Sequence, residues 1–518
     1  MDLYGVRDAP ISILTNVLPS PTPSGFDMFR RIFLAAFVIS LASACVAPAG
    51  VRHAAPTASA LPATVADMLN AAGIPKEAMG AVVIRLSDGA TVLSHRPDAS
   101  MQPGSTMKLV TTIVGLEKLG PTKRWQTELR TRAPLEDGVL RGDVILLGGG
   151  DGTLTWEELG RMLQSLREKG IRDIRGDLIL DRGMFQPTRT DVGIPPFDEE
   201  TDAQYNVIPD ALLINTNLLK FDLESDDRLL HARMTPNLEG VSIDMQIQLV
   251  DGACEKWDDG WQVPGYGKAD DGSHRVQLRG TFPRNCSAAA SSNVLERNEF
   301  IDRLFRTLWT NLGGTFEGTT REGVAPGDSR LLARHRSRTL ADMLREINKP
   351  SDNPLSRLMF LTLGTLDAEQ GGSSLDKADR QIRGWLNQLG IPDDGLVTEN
   401  GSGLSRKERI RPSQLAALLA AEYRSDWAPE FLSSLPIVGL DGTMRKRLRD
   451  SAAAGRARMK TGTLKNVVAL AGYVPDAAGQ MHVVVAMINF DTADGKLGPL
   501  GRPILDALAD SVARSALK

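Results

Sequence analysis

The chain has 518 residues, of which 42% are hydrophobic and 24% charged, an ordinary balance for a globular protein of about three domains. A formal net charge of -4 argues against a broadly basic surface, so nucleic acid is not expected as a partner. The three cysteines form no Cys-x-x-Cys pair and the six histidines no His-x-x-x-His pair, so no metal site or cofactor is expected.

The first elements of the chain indicate export. Residues 28–31 carry two arginines, residues 32–41 are apolar, and small residues follow up to Cys45, which is typical of a secretory signal peptide. The apolar run is short for a transmembrane helix. Cys45 either carries a lipid, as in a loose lipoprotein box, or is incidental to cleavage nearby. Residues 1–63 are therefore expected to hold an upstream segment, the signal and an Ala/Pro-rich tether, with the mature protein in the periplasm and membrane contact only through such a lipid.

The next segment predicts a hairpin followed by a helix. Residues 81–86 and 91–94 are rich in Val, Ile and Leu and flank the turn Ser87-Asp88-Gly89. From Ser105 onward apolar residues recur at helical spacing until Gly120-Pro121 stops the pattern. The helix is expected to begin at Ser105.

Residues 122–335 differ in character from the flanking chain. Short apolar runs alternate with Gly, Asp and Pro, which predicts a β-rich insertion of one or two domains with a helix around residues 155–169. Helical patterns return at 339–347, 355–366 and 377–389. A hairpin of buried strands is predicted at 467–474 and 481–490, and a final helix from about Pro503.

Two cysteines of the insertion, Cys254 and Cys286, are candidates for a disulfide because export would place them in an oxidising compartment. A bridge over 32 positions would stabilise the fold by roughly 3–4 kcal/mol in the chain-entropy model. The alternative is two free, buried thiols.

Three short motifs occur in a fixed order: Ser105-Thr106-Met107-Lys108, Ser351-Asp352-Asn353 and Lys460-Thr461-Gly462-Thr463. Each is weak alone, since Ser374 and Lys377 form a second Ser-x-x-Lys and Ser291 and Asn293 a second Ser-x-Asn. The combination in this order indicates a serine acyl-transfer enzyme.

Ser105 and Lys108 lie three positions apart and share one face of a helix, so lysine can serve as the base that activates the serine. The pKa of a free lysine is about 10.4, so half-neutral lysine at pH 7 requires a change worth roughly 4–5 kcal/mol. Burial or a second cation lowers the pKa in this direction, and Lys460 is the candidate cation if it faces the same site.

The other two motifs suggest how substrate is held. Asn353 is expected to bind the substrate amide, and Ser351 to pass a proton to the leaving amine. The backbone N–H groups of Ser105 and Thr463 are candidates for an oxyanion hole, and Gly462 allows close approach of the strand.

Lys460, with the hydroxyl groups of Thr461 and Thr463, suits a carboxylate at the end of the substrate. Taken singly, Ser105 could be a plain helix cap and Lys460 a solvated charge. The run Gly148-Gly149-Gly150-Asp151-Gly152 lacks the pattern of a phosphate loop and predicts a turn or bulge.

With these motifs the chain resembles the class C low-molecular-mass penicillin-binding proteins, the D-alanyl-D-alanine carboxypeptidase/endopeptidase family. The likeness runs from about residue 64 to the end and includes, beyond the motifs, residues 103–109, 142–144, 176–178, 400–406 and 435–443.

The resemblance implies an α/β (α+β) fold, a penicillin-recognising transpeptidase/β-lactamase-like domain (64–121 and 336–518) with an inserted β-rich region of two small domains (122–335). It also implies cleavage of the terminal D-Ala-D-Ala bond of peptidoglycan stem peptides, or of their cross-links, through a Ser105 acyl-enzyme, with β-lactam antibiotics as covalent inhibitors and no cofactor.

Two other functions stay open at the level of sequence. A serine β-lactamase shares this site logic, although β-lactamases usually lack an insertion of about 210 residues. A non-catalytic cell-wall-binding protein could retain the fold, although a complete motif set argues against it. Oligomeric state, preferred stem peptide and the base at each step are not fixed by the sequence.

Overall fold

A computed structural model describes residues 61–193, 200, 202–269, 273–369, 371–493 and 495–515. The predicted signal peptide, Cys45 and nearly all of the tether lie outside these residues. Within the described ranges, no helix combines the length and apolar character needed to cross a membrane.

The described residues contain ten α-helices. Their bounds are α1 (Ala63–Ala71), α2 (Met107–Leu119), α3 (Trp156–Glu168), α4 (Arg297–Asn311), α5 (Leu340–Asn348), α6 (Asn353–Gly364), α7 (Ser374–Gln388), α8 (Pro412–Glu422), α9 (Ala428–Ser434) and α10 (Leu497–Arg514).

Twenty strands lie in the same part of the chain. Their bounds are β1 (Met79–Arg85), β2 (Thr91–His95), β3 (Gln126–Thr131), β4 (Leu135–Glu136), β5 (Val139–Leu140), β6 (Val144–Leu147), β7 (Asp173–Ile174), β8 (Leu178–Asp181), β9 (Leu219–Ser225), β10 (Leu230–Thr235), β11 (Val241–Val250), β12 (Trp261–Lys268), β13 (His274–Pro283), β14 (Ser287–Ser292), β15 (Thr315–Phe316), β16 (Thr320–Glu322), β17 (Arg330–Arg336), β18 (Arg458–Leu464), β19 (Val467–Pro475) and β20 (Met481–Asn489).

The main sheet joins the two ends of the chain. Its strands run in the order β18-β19-β20-β1-β2, and every neighbouring pair is antiparallel. Both predicted hairpins, β1–β2 and β19–β20, are present within it. β18 lies at one edge, so one side of this strand is not covered by another strand of the sheet.

Both faces of the main sheet are buried by packed helices. Side chains alternate between the two faces along each strand, so neighbouring residues of β20 pack on opposite sides. On one face Val483 and Val485 pack with a layer formed by α2 and α5 to α9. On the other face Val484 and Ala486 pack with α1 and α10. This three-layer arrangement explains why β19 and β20 read as continuous apolar runs rather than alternating ones.

Helix α2 carries the first motif into the core. The α-helix begins at Met107 rather than at Ser105 as predicted, and residues 104–106 form a 3-10 turn that leads directly into it. The tighter turn still places Ser105 and Lys108 on one face. The helix ends at Leu119 and is followed by Gly120, where φ is +76° and the N–H donates to Leu116 O at 2.9 Å.

Strands β3 to β17 form four further sheets. The largest has the order β16-β8-β6-β3-β17. Helix α3 agrees with the prediction to within a residue. The sequence analysis did not predict α4, which adds 15 residues with apolar side chains at helical spacing. Buried on α4 are Phe300, Ile301, Leu304, Phe305, Leu308 and Trp309.

Two further features concern the predicted elements. Cys254 and Cys286 form a disulfide with a Cα–Cα distance of 5.3 Å, linking the chain before β12 to the start of β14. The last helix begins at Leu497, six residues before the predicted Pro503, which lies inside α10.

Candidate active site

The hydroxyl of Ser105 lies at the junction of three elements: the 3-10 turn before α2, the start of α6 and the edge strand β18. The turn is held by the Thr106 hydroxyl, which donates to Pro103 O at 2.8 Å. Gly104 adopts φ +50°, a conformation that favours glycine. Ser105 itself is half-buried, so the residue that would act as nucleophile is not sealed inside the core.

The amine of Lys108 is completely buried and has three polar neighbours. Ser105 Oγ lies at 3.1 Å, Asn353 Oδ1 at 2.5 Å and Ser402 O at 2.5 Å. The last two oxygens can only accept hydrogen bonds. A neutral amine has two N–H groups and one lone pair, so when these oxygens take both N–H groups the lone pair is left for the Ser105 hydroxyl proton.

The electrostatics of the site favour neutral Lys108. Burial lowers the pKa of Lys108 to about 7, opposed by the negative charges of Asp352 and Glu408 and assisted by Arg357. The sequence argument allowed burial or a second cation, with Lys460 as the candidate, as the cause. Burial is the largest cause, the cation that assists it is Arg357, and the repulsion between the two lysines lowers the pKa of Lys460 instead.

Lys460 and Ser351 form a second pair. Ser351 adopts φ +69° in the turn between α5 and α6, a conformation that is uncommon for a residue with a side chain. Lys460 is fully buried, and its Nζ donates to Ser351 Oγ at 2.7 Å and to Thr461 O at 3.0 Å. Burial lowers the pKa of Lys460 well below its ordinary value, and the charge of Lys108 lowers it further.

The side chain of Asn353 forms hydrogen bonds both with Lys108 on α2 and with Tyr205 in the insertion. Asn353 is the first residue of α6, where Asp352 caps the helix by accepting from Leu355 N at 2.8 Å. Asn353 Nδ2 donates to Tyr205 O at 2.9 Å. The amide of Asn353, expected to bind substrate, is therefore already oriented by Lys108 on one side and by Tyr205 on the other.

Strand β18 runs against the turn that carries the nucleophile. A Cβ on Gly462 would lie 2.5 Å from Pro103 O and 3.1 Å from Ser105 N, so only glycine permits this approach. A Cβ on Gly104 would likewise lie 3.2 Å from Thr463 N. The two backbone N–H groups predicted for an oxyanion hole, those of Ser105 and Thr463, therefore belong to segments in direct contact.

The two threonines of the third motif differ in exposure. Thr461 is 9% exposed, and its hydroxyl donates to Thr443 Oγ1 at 2.9 Å. Thr463 is exposed, and Arg502 Nη2 donates to its hydroxyl oxygen at 3.5 Å. Thr443 belongs to a segment singled out by the family resemblance, whereas Arg502 was not predicted.

Glu408 is the main residue of the site that the sequence did not reveal. It is completely buried beside the loop whose Ser402 carbonyl contacts Lys108. Burial raises its pKa, and four backbone hydrogen bonds oppose this by stabilising the carboxylate. The donors are Glu399 N at 3.2 Å, Asn400 N at 3.0 Å, Gly401 N at 2.8 Å and Gly403 N at 2.7 Å. Its only signal in the sequence is an acid just after a glycine-rich loop.

The second Ser-x-x-Lys has a structural explanation. Ser374 begins α7, and its hydroxyl accepts from Gln186 N at 2.8 Å. Ser374 is thus engaged at the start of a different helix. Among the described residues, no group of three or more His, Cys, Asp or Glu side chains could hold a metal ion.

The site combines a half-buried serine on a turn with a buried lysine on the helix that follows, and this helix packs against an antiparallel sheet. This arrangement is that of a serine enzyme of the penicillin-recognising class. The chain belongs to the D-Ala-D-Ala carboxypeptidase 3 (S13) family, whose model matches residues 61–503. The predicted resemblance to low-molecular-mass penicillin-binding proteins, the mixed α/β fold and the assignment as a serine peptidase are confirmed.

Similar proteins agree with this assignment. A D-alanyl-D-alanine carboxypeptidase of an Actinomadura species is 29% identical over 84% of this chain and 81% of its own length. D-alanyl-D-alanine carboxypeptidase DacB of Haemophilus influenzae is 24% identical over 80% and 86%, respectively. The crystal structure of penicillin binding protein 4 from Haemophilus influenzae has a TM-score of 0.72 at 23% identity, covering 87% of this chain and 99% of the other.

Proposed function

We propose that this enzyme cleaves the terminal D-Ala-D-Ala bond of peptidoglycan stem peptides, and the equivalent bond of their cross-links, through an acyl-enzyme on Ser105. The observation that carries the proposal is the set of contacts around the Lys108 amine. Two obligate acceptors and one hydroxyl match a neutral base that is ready to take a proton from serine.

In the proposed acylation step, Lys108 Nζ takes the proton of the Ser105 hydroxyl while Oγ bonds to the carbonyl carbon of the penultimate D-alanine. The N–H groups of Ser105 and Thr463 stabilise the oxyanion. The bond to the leaving nitrogen then breaks, and that nitrogen receives a proton from the Ser351 hydroxyl, which Lys460 resupplies. In deacylation, water attacks the ester carbonyl and gives one proton to Lys460, which restores the proton that passed through Ser351. As the ester bond to Ser105 Oγ breaks, Lys108 returns its proton to that oxygen and becomes neutral again.

The remaining motif residues hold the substrate. The amide of Asn353 binds the peptide near the scissile bond, and the edge of β18 that no other strand of the sheet covers pairs with the substrate as an added strand. Lys460 with the hydroxyl groups of Thr461 and Thr463 attracts the carboxylate that follows the scissile bond.

β-Lactam antibiotics are proposed to acylate the same serine and to inhibit the enzyme. A related penicillin binding protein 4 structure from Haemophilus influenzae, 22% identical with a TM-score of 0.68, is complexed with a β-lactam, which supports this expectation. The same reaction provides a direct assay of the site.

We further propose that the protein works in the periplasm after export, with Cys45 either lipidated or incidental to cleavage nearby. The domain division at 64–121, 122–335 and 336–518 is likewise a proposal. The separation of β3 to β17 from the strands of the main sheet supports it.

The decisive experiment is labelling with a fluorescent penicillin. We expect stoichiometric labelling of the wild type, none of Ser105→Ala, and wild-type labelling of Ser374→Ala, the matched control in the second Ser-x-x-Lys. If the wild type takes no label, or the Ser105 variant labels equally, the proposed function is wrong.

The rival functions give different products. A β-lactamase would lose the label within seconds and destroy the antibiotic, whereas the proposed peptidase would stay acylated for long. Digestion of cross-linked muropeptides separates the two peptidase activities, because the endopeptidase yields monomers and the carboxypeptidase alone yields only free D-alanine. A wall-binding protein without activity would yield neither.

A further inference from the structure

Arg502 lies on α10 beside the exposed end of β18, outside the three motifs. Its guanidinium Nη2 donates to Thr463 Oγ1 at 3.5 Å. Within the described ranges no carboxylate pairs with Arg502. The arginines elsewhere on this helix or against it have acidic partners, since Arg514 contacts Asp510 at 2.6 Å and Arg447 contacts Asp506 at 2.6 Å.

The direction of the Arg502 side chain follows from its position on the helix. Side chains on a helix lean toward its N-terminus, which brings the guanidinium back over the preceding turn. That turn contains Gly498, where a Cβ would lie 3.4 Å from Arg502 Nη2. Gly498 leaves room for the guanidinium to lie along the helix toward β18, where the side chain is still in contact with solvent.

The positive charge of the Arg502 guanidinium lies beside the face of β18 that carries Thr463. Thr461 and Thr463 are two positions apart, so their side chains lie on the same face of the strand, about 6.6 Å apart along it. The Thr463 oxygen accepts from Arg502 and keeps its own hydrogen free for an acceptor. The exposed end of this face therefore offers a hydroxyl donor and a guanidinium with no acid to neutralise it.

We propose that Arg502 is a substrate-binding residue that, with Thr463, holds the carboxylate following the scissile bond, and so restricts the enzyme to substrates that carry this carboxylate. A guanidinium matches a carboxylate with two parallel hydrogen bonds, which a lysine cannot provide. The inference rests on the proposed function and adds a residue from α10 to the recognition expected from β18 alone.

The test compares ligands with and without the carboxylate. Wild type, Arg502→Met and Arg502→Lys are assayed on a D-Ala-D-Ala peptide and on the same peptide as its C-terminal amide. Acylation by benzylpenicillin is compared with acylation by its methyl ester. Arg514→Met, on the same helix and also exposed, is the control for general effects on α10.

We expect Arg502→Met to lower kcat/KM about tenfold for the free acid, mainly through KM, and to change kcat/KM for the amide by less than about twofold. Arg502→Lys should recover part of the loss, and Arg514→Met should behave as wild type. Equal losses on acid and amide, or no loss on the acid, would overturn the role of Arg502. Failure of the wild type to be acylated would instead refute the proposed function.

Discussion

The pH dependence of Ser105 acylation follows directly from the burial of Lys108. The change in its pKa from 10.5 to about 7 corresponds to about 5 kcal/mol of destabilisation of the ammonium form. With a pKa of about 7, half of the amines are neutral at pH 7 and about 1% at pH 5, so acylation should be about fiftyfold slower at pH 5. An unperturbed lysine at pH 7 would supply about 1,500-fold less neutral base.

The assay is single-turnover acylation by a fluorescent penicillin, followed from pH 5 to 9 under conditions where binding is not limiting. The rate constant should rise about tenfold per pH unit below pH 7 and level off above it. Since the pKa of Lys460 is also lowered, the observed midpoint belongs to the coupled pair.

Asp352→Asn supplies a matched perturbation, because asparagine can still cap α6 while the negative charge near Lys108 is removed. The charge of Asp352 raises the pKa of Lys108, so its removal should move the acid limb to lower pH. A flat profile between pH 5 and 9, a midpoint near 10.5, or a move to higher pH in this variant would refute the reasoning.

Three further outcomes follow from the packing. Gly462→Ala places a Cβ 2.5 Å from Pro103 O, so penicillin acylation should fall about a hundredfold while circular dichroism shows the fold retained; near-normal labelling would contradict the close approach of β18. Replacing Cys254 and Cys286 by serine opens a loop of 32 positions and should cost about 3–4 kcal/mol in denaturant unfolding, with labelling at 25 °C unchanged. Burial raises the pKa of Glu422 to about 9, so the folded state retains a proton that the unfolded state releases above about pH 4.3, and stability falls as pH rises from there to about 9. Glu422→Gln should therefore raise the free energy of unfolding by about 1–3 kcal/mol more at pH 8 than at pH 5, and the Tm should rise more at pH 8; an equal effect at both pH values would argue against the raised pKa.

Elements with strong local signals were predicted well. The hairpin of β19 and β20 and helix α3 agree with the sequence pattern within a residue or two, because apolar period and turn residues act over short stretches of chain. Helix α4 was missed within a region otherwise rich in strands. The predicted start of α10 at about Pro503 is six residues late, because this proline lies inside the helix.

By itself, the sequence determined which residue types meet in this site. A serine three positions before a lysine, a Ser-x-Asn and a Lys-Thr-Gly in one order specify the chemistry, because helical spacing and side-chain type are local properties. Only the tertiary structure decided how Lys108 is made a base. Its contact with Asn353 spans 245 positions and that with Ser402 spans 294, and its burial depends on packing between α2, α6 and the loop held by Glu408. The approach of Arg502 to Thr463 is likewise a matter of how α10 lies on the sheet, and no pattern along the chain could reveal it.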